Sequence, residues 1–236
     1  MSIWARISEL LTTVPANALS SVIEAVRTVL SGDPQLRRRV AFSIAMIALS
    51  AKMAKADGIV TQDEVRAFQQ IFVVPAEQTR NVARLFDLAK QDVAGFEAYA
   101  ERLAGLCGNG RPNCPVLEDI LDGLFHIATA DGLVHEREVG FLRRISEIFE
   151  IREERFEAIL SRHAVTGEAD PWRVLGLELG APFEEVRAQY RRMAAENHPD
   201  RLIARGVPEE FLAIANRRLA AINAAYEAIE RSSRPA

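Results

Sequence analysis

The segment Ala54-Lys55-Ala56-Asp57-Gly58-Ile59-Val60-Thr61-Gln62-Asp63-Glu64-Val65 returns 74 positions later as Ala128-Thr129-Ala130-Asp131-Gly132-Leu133-Val134-His135-Glu136-Arg137-Glu138-Val139. This repetition constrains the fold more than any other feature of the chain. Each copy follows an apolar helical run, Phe42 to Lys55 and Ile120 to Ala130, and precedes another, Asp63 to Phe72 and Glu136 to Phe149. Further helical patterns at Glu77 to Lys90 and Ala94 to Leu106 lie between the copies. Repeated helix-turn-helix units of this kind predict an all-α bundle with internal pseudo-symmetry. Aromatic residues are only 7% of the chain and alanine is abundant, which favours helices. Few segments show the β-branched alternation of a sheet.

The repeated turns carry acids, so calcium must be weighed. Gly58 with Glu64 and Gly132 with Glu138 have the Gly-x5-Glu spacing of an EF-hand loop. Such a loop also wants oxygen ligands at positions one, three and five. Those places hold Met53, Lys55 and Asp57 in the first copy and Ile127, Thr129 and Asp131 in the second, which is too few ligands and one cation too many. A structural role explains more. The glycines end a helix in a left-handed turn, Val60 and Val134 enter the core, and Thr61 with Glu64 forms a capping box. The second copy has His135 where the first has Thr61.

Near the C-terminus, Asn197-His198-Pro199-Asp200-Arg201 places a sharp charged turn between two amphipathic segments. Phe183, Val186, Tyr190 and Met193 line one face of a helix from Phe183 to Glu196 at three-and-four spacing. Arg187, Arg191 and Arg192 make another face basic, and Glu184 and Glu185 suit the positive end of the helix dipole. Pro199 lacks an amide hydrogen and biases His198 away from helical geometry, so this helix must end there. A longer helix, Glu209 to Ile229, follows with Leu212, Ile214, Leu219, Ile222, Tyr226 and Ile229 as apolar positions. The two should pair as an antiparallel hairpin.

Three further strings complete the pattern: Asp170-Pro171-Trp172-Arg173-Val174-Leu175-Gly176-Leu177, Val186-Arg187-Ala188-Gln189-Tyr190-Arg191-Arg192-Met193 and Ile222-Asn223-Ala224-Ala225-Tyr226-Glu227-Ala228-Ile229. In this order and spacing around His198-Pro199-Asp200 they resemble the J-domain of DnaJ-type co-chaperones. The repeated bundle resembles the TerB-like domain, and the pair is similar to the DjlA family of co-chaperones. The resemblance implies a J-domain over 170–234, a TerB-like domain over 35–165 and an amphipathic N-terminal segment over 1–34. It also implies a DnaK-type chaperone as partner, whose ATP hydrolysis this chain would stimulate. His198, Pro199 and Asp200 would form the essential turn, with Arg187, Tyr190, Arg191, Arg192 and Arg201 completing the docking surface. Glu196 and Asn197 depart from the family pattern, in which Lys and an aromatic residue or His are common. TerB relatives leave one metal option, in which Asp57, Glu64, Asp131 and Glu138 meet across the pseudo-dyad. The alternative function is therefore a stress-response sensor or scaffold whose TerB-like domain binds a metal or other ligand.

What remains is exclusion. The net charge of −4 gives no general attraction to nucleic acid. No Ser/His/Asp, Cys/His or phosphate-loop arrangement supports an enzyme, and no cofactor is expected. Cys107 and Cys114 flank a Gly/Asn/Pro loop and are expected as free thiols in a reducing cytoplasm, with a disulfide across the loop as the alternative. The start lacks the apolar core of a signal peptide, and Glu9, Asn17, Glu24 and Arg27 interrupt every window long enough to span a membrane. Ile3, Ile7, Leu10, Leu11 and Val14 form a helical stripe. Packing or self-association is expected of it ahead of membrane contact, because the opposite face lacks Lys/Arg density.

Overall fold

The computed structural model describes residues 5, 7–9, 34–57, 76–91, 95–105, 114–130, 135–163 and 170–233. Every regular element among them is helical. The centre of the bundle is α1 (Pro34–Asp57), which opens on a proline whose missing amide hydrogen would have had no helical partner. From Val40 to Ala54 each of its residues is buried, so it behaves as a helix enclosed on all sides rather than one with a wet face. Its polar residues find local partners: the Ser43 hydroxyl donates to the Arg39 carbonyl at 3.1 Å, and the Lys52 ammonium lies 5.1 Å from the centre of the Tyr99 ring.

Around α1 stand α2 (Thr79–Gln91), α3 (Phe96–Ala104), α4 (Pro115–Ala128), α5 (Glu136–Ile148) and α6 (Glu153–Arg162). Leu85, Tyr99, Phe125, Leu142 and Phe156 anchor them in one core with α1. At Gly123 on α4, a Cβ would stand 2.8 Å from Met46 Cε and 3.6 Å from Ile214 Cδ1, so glycine permits the close approach. Ile7 joins this core at 1% exposure, and Asn81 on α2 donates to the Ser8 hydroxyl at 2.8 Å. Packing is thus what Ile7 does; Ile3, Leu10, Leu11 and Val14 lie outside the described residues. Ile7→Ala should lower unfolding stability by about 2–5 kcal/mol in urea titration, the usual cost of emptying a core isoleucine site.

The second half is built from α7 (Pro171–Leu175), α8 (Phe183–Glu196), α9 (Pro199–Arg205) and α10 (Leu212–Ser233). Asp170 caps α7 by accepting the Trp172 amide at 3.0 Å, and Gly176 closes it in the left-handed region at φ 65°. The α8–α10 pair runs antiparallel. Phe183 and Tyr190 both stack on Tyr226, and Asn197 at the far end of α8 meets Arg218. Val174, Leu175, Val186, Met193, Ile222, Ala225 and Ile229 form a core of their own.

The chain after Pro199 differs from expectation. It is a short helix, α9, rather than a bare turn, because His198 adopts an N-cap conformation and Pro199 is already set for the first helical position. Gly206, at φ 94°, ends α9. A 3-10 turn, Glu209–Phe211, then leads into α10. Leu202, Val207, Phe211, Ile214 and Ala215 pack into the core of the first bundle, where the Phe211 and Phe42 rings meet edge-on at 4.5 Å.

Free thiols are corrected by the structure: Cys114 is disulfide-bonded, and the only other cysteine, Cys107, lies outside the described residues. The loop between them is short enough to close. No helix among the described residues is long and apolar enough to cross a membrane.

Candidate functional site

α8 and α9 present the charged turn at the end of the hairpin. His198 stands between them with extended backbone, φ −64° and ψ 135°, and its Nδ1 accepts the Asp200 amide at 3.3 Å. The side chains of His198 and Asp200 are 59% and 88% exposed, and His198 Nδ1 lies 3.6 Å from Asp200 Oδ2. Pro199 is half-buried between them, whereas Arg187, Arg191, Arg192 and Arg201 are exposed. The Arg187 guanidinium lies 5.4 Å from the centre of the Phe183 ring, and Arg192 donates to Gln189. Tyr190 is placed differently. Its ring stacks on Tyr226 at 4.3 Å and its hydroxyl donates to Asn223 Oδ1 at 3.2 Å, so it ties α8 to α10.

Sequence reasoning missed what lies immediately behind this turn. Asp119 and Asp122 on α4, only 4% and 1% exposed, face three arginines and a histidine. Arg218 Nε donates to Asp122 Oδ2 at 3.0 Å and Nη1 to Asp119 Oδ1 at 2.7 Å. Arg162 Nη2 donates to Asp122 Oδ1 at 3.2 Å, His163 Nε2 lies 3.3 Å from the same oxygen, and Arg205 Nη2 lies 3.4 Å from Asp119 Oδ2. Burial opposes ionisation of Asp122, but Arg218, the His163 hydrogen bond and Arg162 outweigh it and hold its carboxyl well below the usual carboxylate range. The signal was available: Asp119 and Asp122 interrupt a helix whose other residues include Leu117, Ile120, Leu121, Leu124 and Phe125. Charges in such a run must be paired when buried.

A cavity of about 570 Å³ opens beside this cluster, with Glu118, Arg155, Arg162, Arg201 and Arg205 among its walls. Burial raises the pKa of Glu118 against the pull of Arg155. On the neighbouring turn of α4, burial first and the Arg217 charge second push His126 down to about 4, with His163 adding to the shift and Asp122 opposing it. Arg217 Nη1 lies 3.1 Å from His126 Nε2, a contact suited to neutral imidazole. Because the folded value lies below an unfolded value of about 6.5, this histidine's contribution is complete above that pH. It declines as pH falls from about 6.5 toward 4. The melting temperature should fall across that window, and His126→Gln should flatten the slope.

Of the four acids weighed for metal, Glu138 has a described side chain. It is 3% exposed and its Oε2 accepts the His135 amide at 2.9 Å, so the reciprocal half of a capping box exists without the Thr. The Asp57 side chain, Glu64 and Asp131 lie outside the described residues. Among the described residues no group of three or more His, Cys, Asp or Glu could hold a metal ion.

The bundle has counterparts among known proteins: residues 43–161 match the family model described as tellurite resistance protein TerB. Similarity to curated proteins extends beyond it. The chain is 30% identical over 220 residues to co-chaperone protein DjlA of Photobacterium profundum, covering 82% of this chain and 78% of that one. It is 28% identical to the Vibrio vulnificus protein of the same name, over 85% of this chain and 81% of the relative. With the Coxiella burnetii protein, also named DjlA, it shares 30% identity over 76% and 73% of the two chains. No solved structure matches it significantly. The chain belongs to the DjlA family of co-chaperones.

Proposed function

We propose that this chain is a co-chaperone that binds a DnaK-type chaperone through residues 170–234, a J-domain, and stimulates its ATP hydrolysis. The observation that carries the reading is the turn at the hairpin end, where His198 and Asp200 point into solvent beside exposed Arg187, Arg191, Arg192 and Arg201. Side chains so exposed contribute little to the core, and four guanidiniums near one carboxylate form a surface suited to an acidic partner with a complementary cation for Asp200. Pro199 and the α9 helix fix the backbone from which the two side chains project. Tyr190 acts in this reading from behind, holding α8 on α10. The TerB-like bundle over 35–165 serves targeting, client or ligand recognition. The test is single-turnover ATP hydrolysis by the cognate chaperone with the full chain added. Stimulation that His198→Gln or Asp200→Asn removes supports the reading, and no stimulation by the parent chain would overturn it.

A further inference from the structure

Asn197 is where the turn meets the buried charge cluster. It follows the last helical residue of α8 with φ −99° and ψ 11°, and the next residue is already extended, so its position sets the direction in which the turn leaves. Its side chain is fixed from two sides. Nδ2 donates to the Met193 carbonyl at 2.7 Å, and Oδ1 accepts from Arg218 Nη1 at 2.8 Å. Arg218 has no freedom to follow Asn197, because Asp119 and Asp122 hold three of its nitrogens.

The other limb of the turn is tied to the same carboxylate. Arg205, at the end of α9, donates to the Glu196 carbonyl at 3.2 Å and faces Asp119 Oδ2 at 3.4 Å. Asp119 therefore reaches the chain on both sides of His198-Pro199-Asp200, through Arg218 and Asn197 before it and through Arg205 after it. The turn residues themselves make only the local contact between the Asp200 amide and His198 Nδ1. Buried ion pairs are poor glue, since apolar residues of similar volume often hold an interface as well, but they fix geometry through directed bonds.

We propose that Asp119 and Asp122 of the TerB-like bundle are positioning residues for the docking turn, acting through Arg218, Asn197 and Arg205. The bundle thereby presents the turn to the chaperone in one orientation. This inference rests on the co-chaperone reading for its consequence, while its structural part can be tested without the partner.

The experiment uses the full chain with Asp119→Asn, Asn197→Ala, the double variant, and Phe42→Leu as a control that loosens the apolar seam away from the turn. Two quantities are read: the concentration of chain giving half-maximal ATPase stimulation, and hydrogen exchange at the Arg201 and Leu202 amides, which bond to the His198 carbonyl. Either polar variant should raise the half-maximal concentration about tenfold and speed exchange at both amides, the scale expected for losing a hydrogen bond to a charged group. The double variant should be little worse than the worse single one, because both cut one path. Phe42→Leu should lower the melting temperature without either effect. Polar variants that match the parent in both readouts, or effects that simply add, would overturn the inference. Should Asp119→Asn fail to fold, Asn197→Ala alone decides it. A parent chain that stimulates nothing defeats the co-chaperone reading, and the exchange measurement still decides the positioning.

Discussion

Arg218→Ala should cost about 3–5 kcal/mol of unfolding stability, the usual result of removing one partner from a buried ion cluster. The side chain is only 9% exposed and carries the bonds to Asp119, Asp122 and Asn197 described above. Its loss leaves two aspartates buried with Arg162, His163 and Arg205, none of which can reach Asn197 from the same direction. Burial disfavours the charge on Arg218, yet Asp122 and Asp119 together raise its pKa, so the guanidinium stays ionised throughout. The pH dependence has a definite sign. Asp122 is held below the usual carboxylate range, so its contribution is complete above the unfolded value of about 3.9 and is lost as pH falls toward the folded one. Urea titrations should therefore find the full difference between parent and Arg218→Ala from mildly acidic to neutral pH. The difference should shrink under strongly acidic conditions. Equal stabilities at neutral pH would contradict the cluster as described.

The repeat was legible because each copy keeps a helix, a turn and a second helix in register. The hairpin was legible because Phe183, Val186, Tyr190 and Met193 fall on one face of α8, and most of that face is buried. What the sequence concealed depends on contacts between residues far apart in the chain. Asp119 and Arg218 are 99 positions apart, so no local spacing links them. Asn197 looked like a lost contact when compared with the family pattern, yet it is 8% exposed and bonded on both sides. Tyr190 sits on a basic helix and reads as surface, but a partner ring at Tyr226 draws it inward. α9 was hidden for another reason. Its seven residues are too few for a helical period to register, and its stability comes from the His198 cap, Pro199 and the burial of Leu202.

His198→Gln is expected to have the largest functional effect with little structural cost. The imidazole is more than half exposed and its only printed-scale tie to the fold is the long Nδ1 contact with the Asp200 amide, so stability should change by no more than about 1 kcal/mol. If the turn docks on a chaperone, the same change removes the group presented at its tip and stimulation should disappear. Arg191→Ala should weaken docking more gently and in proportion to salt, since an exposed guanidinium acts through a screened field. The most direct measurement is the single-turnover rate of ATP hydrolysis by the cognate DnaK-type chaperone with parent chain, His198→Gln chain or neither. The co-chaperone account predicts acceleration by the parent alone, with both chains melting at nearly the same temperature. Equal acceleration by the two chains, or none by the parent, would contradict it.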